Sequence, residues 1–411
     1  MGLRMYIKRE RYLEKIRPFY EVDLIKVLAG VRRCGKSILL GQIEDEFREK
    51  GIDDDHIINI NFENVEFEKI RTYEKLNKYV QSKIRDDGRY YIFLDEIQHV
   101  RSFEKVLASF RATLNCSIFI TGSNSKLLSG KMATLLVGRC VEFRIMPFSF
   151  KEAYEYVGLN GNNVSADEFI FDYMNWGGMP LRFSFSRESD IKTYLEQTYN
   201  GIVEKDIATE RSKINREKFI KVAGYVMANA GKEFSGTSIE AYFENTNHES
   251  LDRKTIYRYL EKMEKACLIN RVKRFNIVGK QAMAYVEKQY AVDVGFRMLN
   301  TNLVNFEDTF FLENIIYNEL ISRGYQVFTG KTYKGEVDFV VIDGRKKCFI
   351  QVCYYLHSQQ TIEREFGAFK PIQDASPKYV LSLDRFDYSR DGVQHINIVD
   401  FLLEKKDIAL T

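Results

Sequence analysis

The chain has 411 residues, 45% of them hydrophobic and 14% aromatic, with a formal charge of only +3. That length exceeds what one hydrophobic core organises, so two or three domains are expected, and the composition excludes a disordered or low-complexity chain. The near-balanced charge excludes nucleic-acid binding through bulk charge and leaves only a local patch for it. Six scattered cysteines, with no leader-like start and no long apolar span, point to a reducing cytoplasm and no membrane.

Residues 1–23 are charged and aromatic, with Arg9, Arg11, Tyr12, Leu13 and Ile16 suggesting a short helix. Leu24 to Ala29 then reads as a buried strand, and Leu39, Leu40, Ile43 and Phe47 recur at helical spacing until Gly51. Between them stands Gly30-Val31-Arg32-Arg33-Cys34-Gly35-Lys36-Ser37. A glycine-bounded turn between strand and helix wraps a polyphosphate: Gly30 and Gly35 permit close backbone approach, and the amides of the loop and helix start face the negative charge. Lys36 is expected to reach the β- and γ-phosphates of ATP and Ser37 to ligate Mg²⁺. The bland alternative is a glycine-rich turn without nucleotide. On the nucleotide reading, the N-terminal helix is expected beside the base.

His56 to Phe62 gives a second strand and Ile70 to Ile84 a helix. Tyr90 to Leu94 is an apolar run ending in Asp95 and Glu96, as a central parallel strand buried on both faces should be. Its carboxyl end is the ligand side. Asp95 is expected to hold the Mg²⁺ shell and Glu96 to orient and deprotonate the attacking water. Helix 103–114 leads to a strand from Ser117 to Thr121, expected between the previous two, and then to Gly122-Ser123-Asn124. Ser123 or Asn124 is a candidate γ-phosphate sensor, with an ordinary polar turn as the alternative. Gly138-Arg139 precedes a strand from Val141 to Ile145, and Arg139 could serve phosphate of its own or a neighbouring subunit, or simply be solvated. The fold class is α/β: a P-loop domain with a parallel sheet flanked by helices, of the ATPase type with an added central strand.

The phosphate loop, Leu94-Asp95-Glu96-Ile97-Gln98, Thr121-Gly122-Ser123, Gly138-Arg139, Pro147-Phe148-Ser149-Phe150, Trp176-Gly177-Gly178-Met179-Pro180, Glu204-Lys205-Asp206, Glu313-Asn314 and Gly335-Glu336-Val337-Asp338-Phe339 together resemble the prokaryotic AAA-type ATPases with a C-terminal domain of unknown function. The resemblance implies an AAA-like ATPase domain (1–150), a helical lid (151–215), a winged helix (216–300) and a restriction-endonuclease-like domain (301–411).

The residues themselves agree with helices over 150–230, interrupted at Gly177-Gly178, with Trp176 expected in their core and stacking on a ligand as the alternative. Residues 217–290 fit three helices and a hairpin in which Leu268 to Val272 pairs with Tyr285 to Tyr290 across Gly279-Lys280. From Leu251 to Tyr290 there are ten Lys/Arg against four Asp/Glu, so DNA phosphate contact is expected through residues 253–288, with domain packing or protein contact as the alternative. From Glu307 the pattern is helix (310–322), strands (326–329, 336–342, 347–352), helix and strand. A nuclease core of the resembling kind needs carboxylates for Mg²⁺ and a Lys. Asp338 and Glu313 or Glu319 supply acids, but Gln351-Val352-Cys353 stands where Glu-x-Lys belongs, so catalysis there is expected to be lost. The expected whole is an ATP hydrolase coupling nucleotide state to a winged-helix and nuclease-like module, with an unidentified protein partner and homo-oligomerisation open. A slow nucleotide-gated interaction switch and an ATP-driven nuclease are the other classes.

Overall fold

In the computed structural model, described for residues 6–122, 136, 138–161, 163–207, 214–233, 235–247, 251–300, 308–333 and 335–411, the chain divides into two compact units. One comprises Met1–Met146 with Lys265–Cys267, the other Pro147–Glu264 with Leu268–Thr411.

In the first unit, α1 (Glu10–Ile16) precedes β1 (Ile25–Ala29), α2 (Lys36–Glu49), β2 (Ile57–Asn61), α3 (Tyr73–Gln81), β3 (Tyr90–Asp95), α4 (Phe103–Thr113), β4 (Cys116–Gly122) and β5 (Cys140–Arg144). All strand pairs are parallel, in the order β2-β3-β4-β1-β5. The expected interposition of β4 between β1 and β3 is therefore present. β1 and β3 are buried along their whole length, which is why, apart from Lys26, whose Nζ donates to the Ser117 hydroxyl at 2.7 Å, and the terminal Asp95, their sequences run apolar without alternation. One sheet face takes the apolar stripe of α2: Phe47 lies 4.0 Å from the Tyr91 ring and 5.8 Å from that of Phe119. The other holds Ile60, Leu94, Leu107, Phe110 and Ile120 in one buried cluster. Because the strands are parallel, the segments after β1, β3 and β4 all leave from one edge.

The second unit begins with α5 (Phe150–Leu159) and α6 (Ala166–Trp176). Each opens with a reciprocal serine–glutamate cap, Ser149 with Glu152 and Ser165 with Glu168, which satisfies two backbone donors otherwise orphaned. The predicted break is real: α6 stops at Gly177, at φ 70°, where a Cβ would fall 1.9 Å from the carboxylate of Asp293. That buried acid accepts from the amides of Gly178 (2.8 Å) and Gly295 (2.9 Å). Next in the chain are α7 (Glu188–Ile202), α8 (Arg216–Ala228), α9 (Gly236–Asn247), α10 (Arg253–Lys265), β6 (Ile269–Asn276), β7 (Gln281–Ala291), α11 (Val294–Met298), α12 (Asp308–Arg323), β8 (Gln326–Lys331), β9 (Glu336–Asp343), β10 (Lys346–Val352), α13 (Gln359–Gly367), β11 (Lys378–Ser382), β12 (Val393–Asn397) and α14 (Ile398–Leu402).

The hairpin pairs as expected, Ile269 to Ala291 through Asn276 to Gln281. What the sequence did not reveal is that it continues the C-terminal sheet. The end of β6 runs parallel to β8, Arg274 opposite Thr329 and Asn276 opposite Lys331, so seven strands form one sheet in the order β12-β11-β10-β9-β8-β6-β7. Phe275 and Ile277 bury their side chains with Val337, Val340 and Phe349 in a single core cluster. Residues 215 and 300 both fall within the second unit, in which the hairpin packs Phe275 and Ile277 on the C-terminal core.

Candidate nucleotide site

At the end of β1 the chain must turn against the strand beside it, and Gly30 makes that turn possible: a Cβ there would lie 2.2 Å from the carbonyl oxygen of Ile145. Arg33 (φ 67°) and Gly35 (φ 101°) are both left-handed, which curls the loop and brings successive amides inward before α2 starts at Lys36. The loop is braced from beneath. Cys34 is fully buried, with its Sγ 3.4 Å from the Ile145 carbonyl, and Arg9, 1% exposed, donates from Nη1 to the carbonyls of Cys34 (3.1 Å) and Met146 (3.0 Å). The N-terminal segment thus supports the loop itself. Gln42 holds that segment, donating to the Ile7 carbonyl (2.7 Å) and accepting from the Arg9 amide (3.1 Å).

Lys36 is 4% exposed, and its Nζ reaches across the loop to the carbonyls of Gly30 and Val31, 3.1 Å each. Both partners are neutral. Val31 is buried, Arg32 lies 3.6 Å from Glu63, and Arg33 and Ser37 are exposed at the loop crest and the start of α2. The eight residues thus form the turn between β1 and α2 and the first two positions of α2.

β3 delivers Asp95 and Glu96 to the same edge, both buried. Thr121, fully buried at the end of β4, donates its hydroxyl to Asp95 Oδ1 and accepts the Glu96 amide at 2.9 Å. Asn61, in register with Asp95 at the end of β2, donates to Oδ2 at 3.1 Å. Burial pushes the Asp95 carboxyl up, while the hydrogen bonds from Thr121 and Ser37 pull it back. Glu96 sits at φ 56°, a region that non-glycine residues enter rarely and at a cost. Its carboxylate accepts from the Gln98 amide group. Asn61, Gln98 and the bridging hydroxyl of Thr121 are the members that sequence reasoning missed. The available signal was weak: a polar residue at the carboxyl end of each strand flanking β3.

The remaining expected residues are Ser123, Asn124 and Arg139. Ser123 and Asn124 lie outside the described residues. Arg139 is exposed, and its carbonyl accepts from the amide of Ile25, the first residue of β1, whereas the loop comes after the last. A strand of that length spans about 16 Å, so Arg139 does not join the site of its own chain.

In the C-terminal sheet the expected acids also converge, with an addition. Lys288 of β7, 6% exposed, places Nζ 2.8 Å from Glu313 and 3.9 Å from Asp338. The Tyr290 hydroxyl donates to Glu313, the Val352 amide to Asp338 (2.8 Å), and the Asp338 amide to the Gln351 side chain (3.3 Å). Glu319 pairs instead with Arg323 at 2.7 Å. Burial and the charge of Glu313 push the Asp338 carboxyl up to about 8, with Lys288 pulling it down. A lysine from β7 thus lies between the two acids.

The parallel sheet with β4 interposed, the phosphate-loop turn and the paired acids at the same edge define an AAA-type P-loop domain. Residues 23–154 match the model of the family described as an AAA domain, and residues 167–307 that of a domain of unknown function, DUF8612. The chain belongs to a family of AAA-domain proteins that includes an uncharacterized protein of Haemophilus influenzae, 32% identical over 408 residues (97% of this chain and 99% of that protein). It also includes an uncharacterized protein of Methanocaldococcus jannaschii, 32% identical over 400 residues (92% and 85%). Among solved structures, the Aeropyrum pernix ORC1 protein in complex with DNA is similar at 13% identity and TM-score 0.33, covering 72% of this chain and 92% of that one. AMPPCP-bound DnaA from Aquifex aeolicus is similar at 15% identity and TM-score 0.31, covering 62% and 86%.

Proposed function

We propose that the first unit binds ATP with Mg²⁺ and hydrolyses it. The observation that carries this reading is the convergence on one sheet edge of a left-handed loop with Lys36 across it and a buried acid pair, Asp95 and Glu96, whose described hydrogen-bond partners are neutral. A polyphosphate would draw Lys36 from two uncharged carbonyls, a small loss against a charge-assisted bond. Asp95 and Ser37 offer the anionic and hydroxyl oxygens that Mg²⁺ prefers. The ion would supply charge neutralisation at the β- and γ-phosphate oxygens. Glu96 is the group to orient water and take its proton.

Steady-state phosphate release tests this. Lys36→Ala is expected to lose nucleotide affinity, and Glu96→Gln to keep affinity while losing turnover about 100-fold or more. Equal turnover in wild type and Glu96→Gln would sink the assignment.

A second reading, DNA contact by the second unit, is supported by a narrower surface than residues 253–288. Arg271 pairs with Glu264 (3.5 Å), Arg274 with Glu233 (3.1 Å) and Glu336 (3.3 Å), and Lys288 is buried on Glu313. Those cations are engaged inside the fold. The first turns of α10 instead expose Lys254 and Arg258 around Tyr257, which is 43% exposed, together with Arg253, exposed although its guanidinium also pairs with Glu240 at 2.7 Å. Basic side chains flanking an aromatic suit phosphate with base or sugar contact. Arg253, Lys254 and Arg258 changed together to Glu should abolish any salt-sensitive DNA retention in a filter-binding titration, while Arg271→Gln should not. The reverse pattern would return the charge to the hairpin.

A further inference from the structure

We infer that Thr121 is a positioning residue for hydrolysis, its single hydroxyl locking the metal-side acid Asp95 and the water-side acid Glu96 into one geometry. The inference rests on the ATPase reading above and adds to it a residue that would touch neither nucleotide nor water.

Thr121 is fully buried, and both capacities of its hydroxyl are in use. The proton goes to Asp95 Oδ1, and a lone pair receives the Glu96 amide at 2.9 Å. The peptide between the two acids is thereby clamped from the neighbouring strand. A β-branched side chain in a strand has little rotamer freedom, so the oxygen is fixed by β4 and does not wander.

The clamp matters because Glu96 is left-handed at φ 56°, a conformation that persists in a non-glycine residue only where its surroundings impose it. The amide of Glu96 has no partner in the parallel ladder, whose β3–β4 register ends at Leu94 opposite Ile120, and the hydroxyl of Thr121 takes the place of a ladder carbonyl. Without that oxygen a buried N–H is orphaned, and the described restraint left against rotation of the Asp95–Glu96 peptide is the bond from the Phe62 amide to its carbonyl. Rotation re-aims both carboxylates at once. The side chain of Glu96 has a further tether at Gln98, which acts on the carboxylate only, while the carbonyl of the Asp95–Glu96 peptide accepts from the Phe62 amide at 3.1 Å, so that Thr121 holds the N–H half of that peptide. Thr121 bonds to groups of both acids, so a displacement of Asp95 on taking up a cation is passed to Glu96 through one atom.

Three substitutions separate the hydroxyl from the volume. Thr121→Val keeps the shape and removes the hydroxyl, Thr121→Ala removes both, and Thr121→Ser keeps the hydroxyl. Each full-length variant is assayed for kcat by phosphate release, for affinity by titration with a fluorescent non-hydrolysable ATP analogue and Mg²⁺, and for melting temperature. Val and Ala are expected to lower kcat about 10- to 100-fold, the usual range for a supporting residue, with analogue affinity within about threefold. Ser is expected to restore kcat to within about fivefold of wild type. Unchanged kcat in Val and Ala would overturn the inference. So would a Ser variant as slow as the other two, or failure of both Val and Ala to fold, since either makes the role one of packing. If wild-type turnover survives Glu96→Gln, the parent reading falls and this one with it. If it does not survive, only the Thr121 series is on trial.

Discussion

Each unit buries a pair of carboxylates, and the pairs are treated in opposite ways. Asp95 and Glu96 are held by neutral donors, Thr121, Asn61 and Gln98. Glu313 and Asp338 enclose the ammonium of Lys288, with Asp338 raised to about 8. A buried negative charge needs a positive partner. Among the described residues the first site feels the charge of Lys36 but has no ion pair on either acid, whereas the second has an ammonium in contact with both. The difference teaches that acid content does not define a metal site: what decides is whether the chain has already placed a cation among the acids.

The comparison breaks most visibly if the built-in cation is removed. Lys288→Met strands Glu313 without its partner, and urea unfolding should show a loss of about 3–5 kcal/mol. Adding Glu313→Gln should recover much of it, because the stranded charge is then gone. Undiminished stability in the single variant would mean that the ammonium balances nothing.

Next in size is the outside cation. Asp95→Asn should cut phosphate release at saturating Mg²⁺ about 100-fold, equivalent to about 2.7 kcal/mol of barrier, with little change in melting. Asp338→Asn should leave turnover within about twofold. Similar losses in both would erase the distinction between the pairs.

The proton on Asp338 gives a smaller, signed effect. Its folded value of about 8 lies above the ordinary carboxyl value of about 4, so the folded chain holds a proton that the unfolded chain has released. That contribution is complete below about pH 4 and is lost as pH rises through 8, at up to about 1.4 kcal/mol per pH unit. Unfolding measured between pH 6 and 8 should show this decline in wild type and a flatter profile in Asp338→Asn. Parallel profiles would place the proton elsewhere.

The smallest expected effect is none. Purified protein with Mg²⁺ or Mn²⁺ and ATP should leave DNA and RNA intact on gels, because Lys288 fills the space between the acids and Gln351 offers only a neutral carbonyl. Cleavage abolished by Asp338→Ala would show that the ammonium assists chemistry there.

How much of this was legible depended on sequence distance. The phosphate loop and the β3 acids are contiguous segments whose chemistry is local, and both stand where their patterns put them. The helix breaks at Gly51 and Gly177 were legible for the same reason. The partners of Asp95 come from 34 and 26 residues away, and a terminal Asn or Thr on an apolar strand carries no mark of its neighbour. Lys288 was counted as a DNA-facing cation because composition records charge and not the acid opposite it. The same blindness enlarged the basic patch by Arg271 and Arg274.

The three-residue parallel pairing of β6 with β8 has a consequence for how this architecture is inherited. A chain ending near residue 300 would keep the hairpin but bare the outer edge of β6 and strip Phe275 and Ile277 of their apolar neighbours, an open strand edge prone to pair with another copy. A relative that shed the C-terminal strands is therefore expected to cover that edge of β6 in another way.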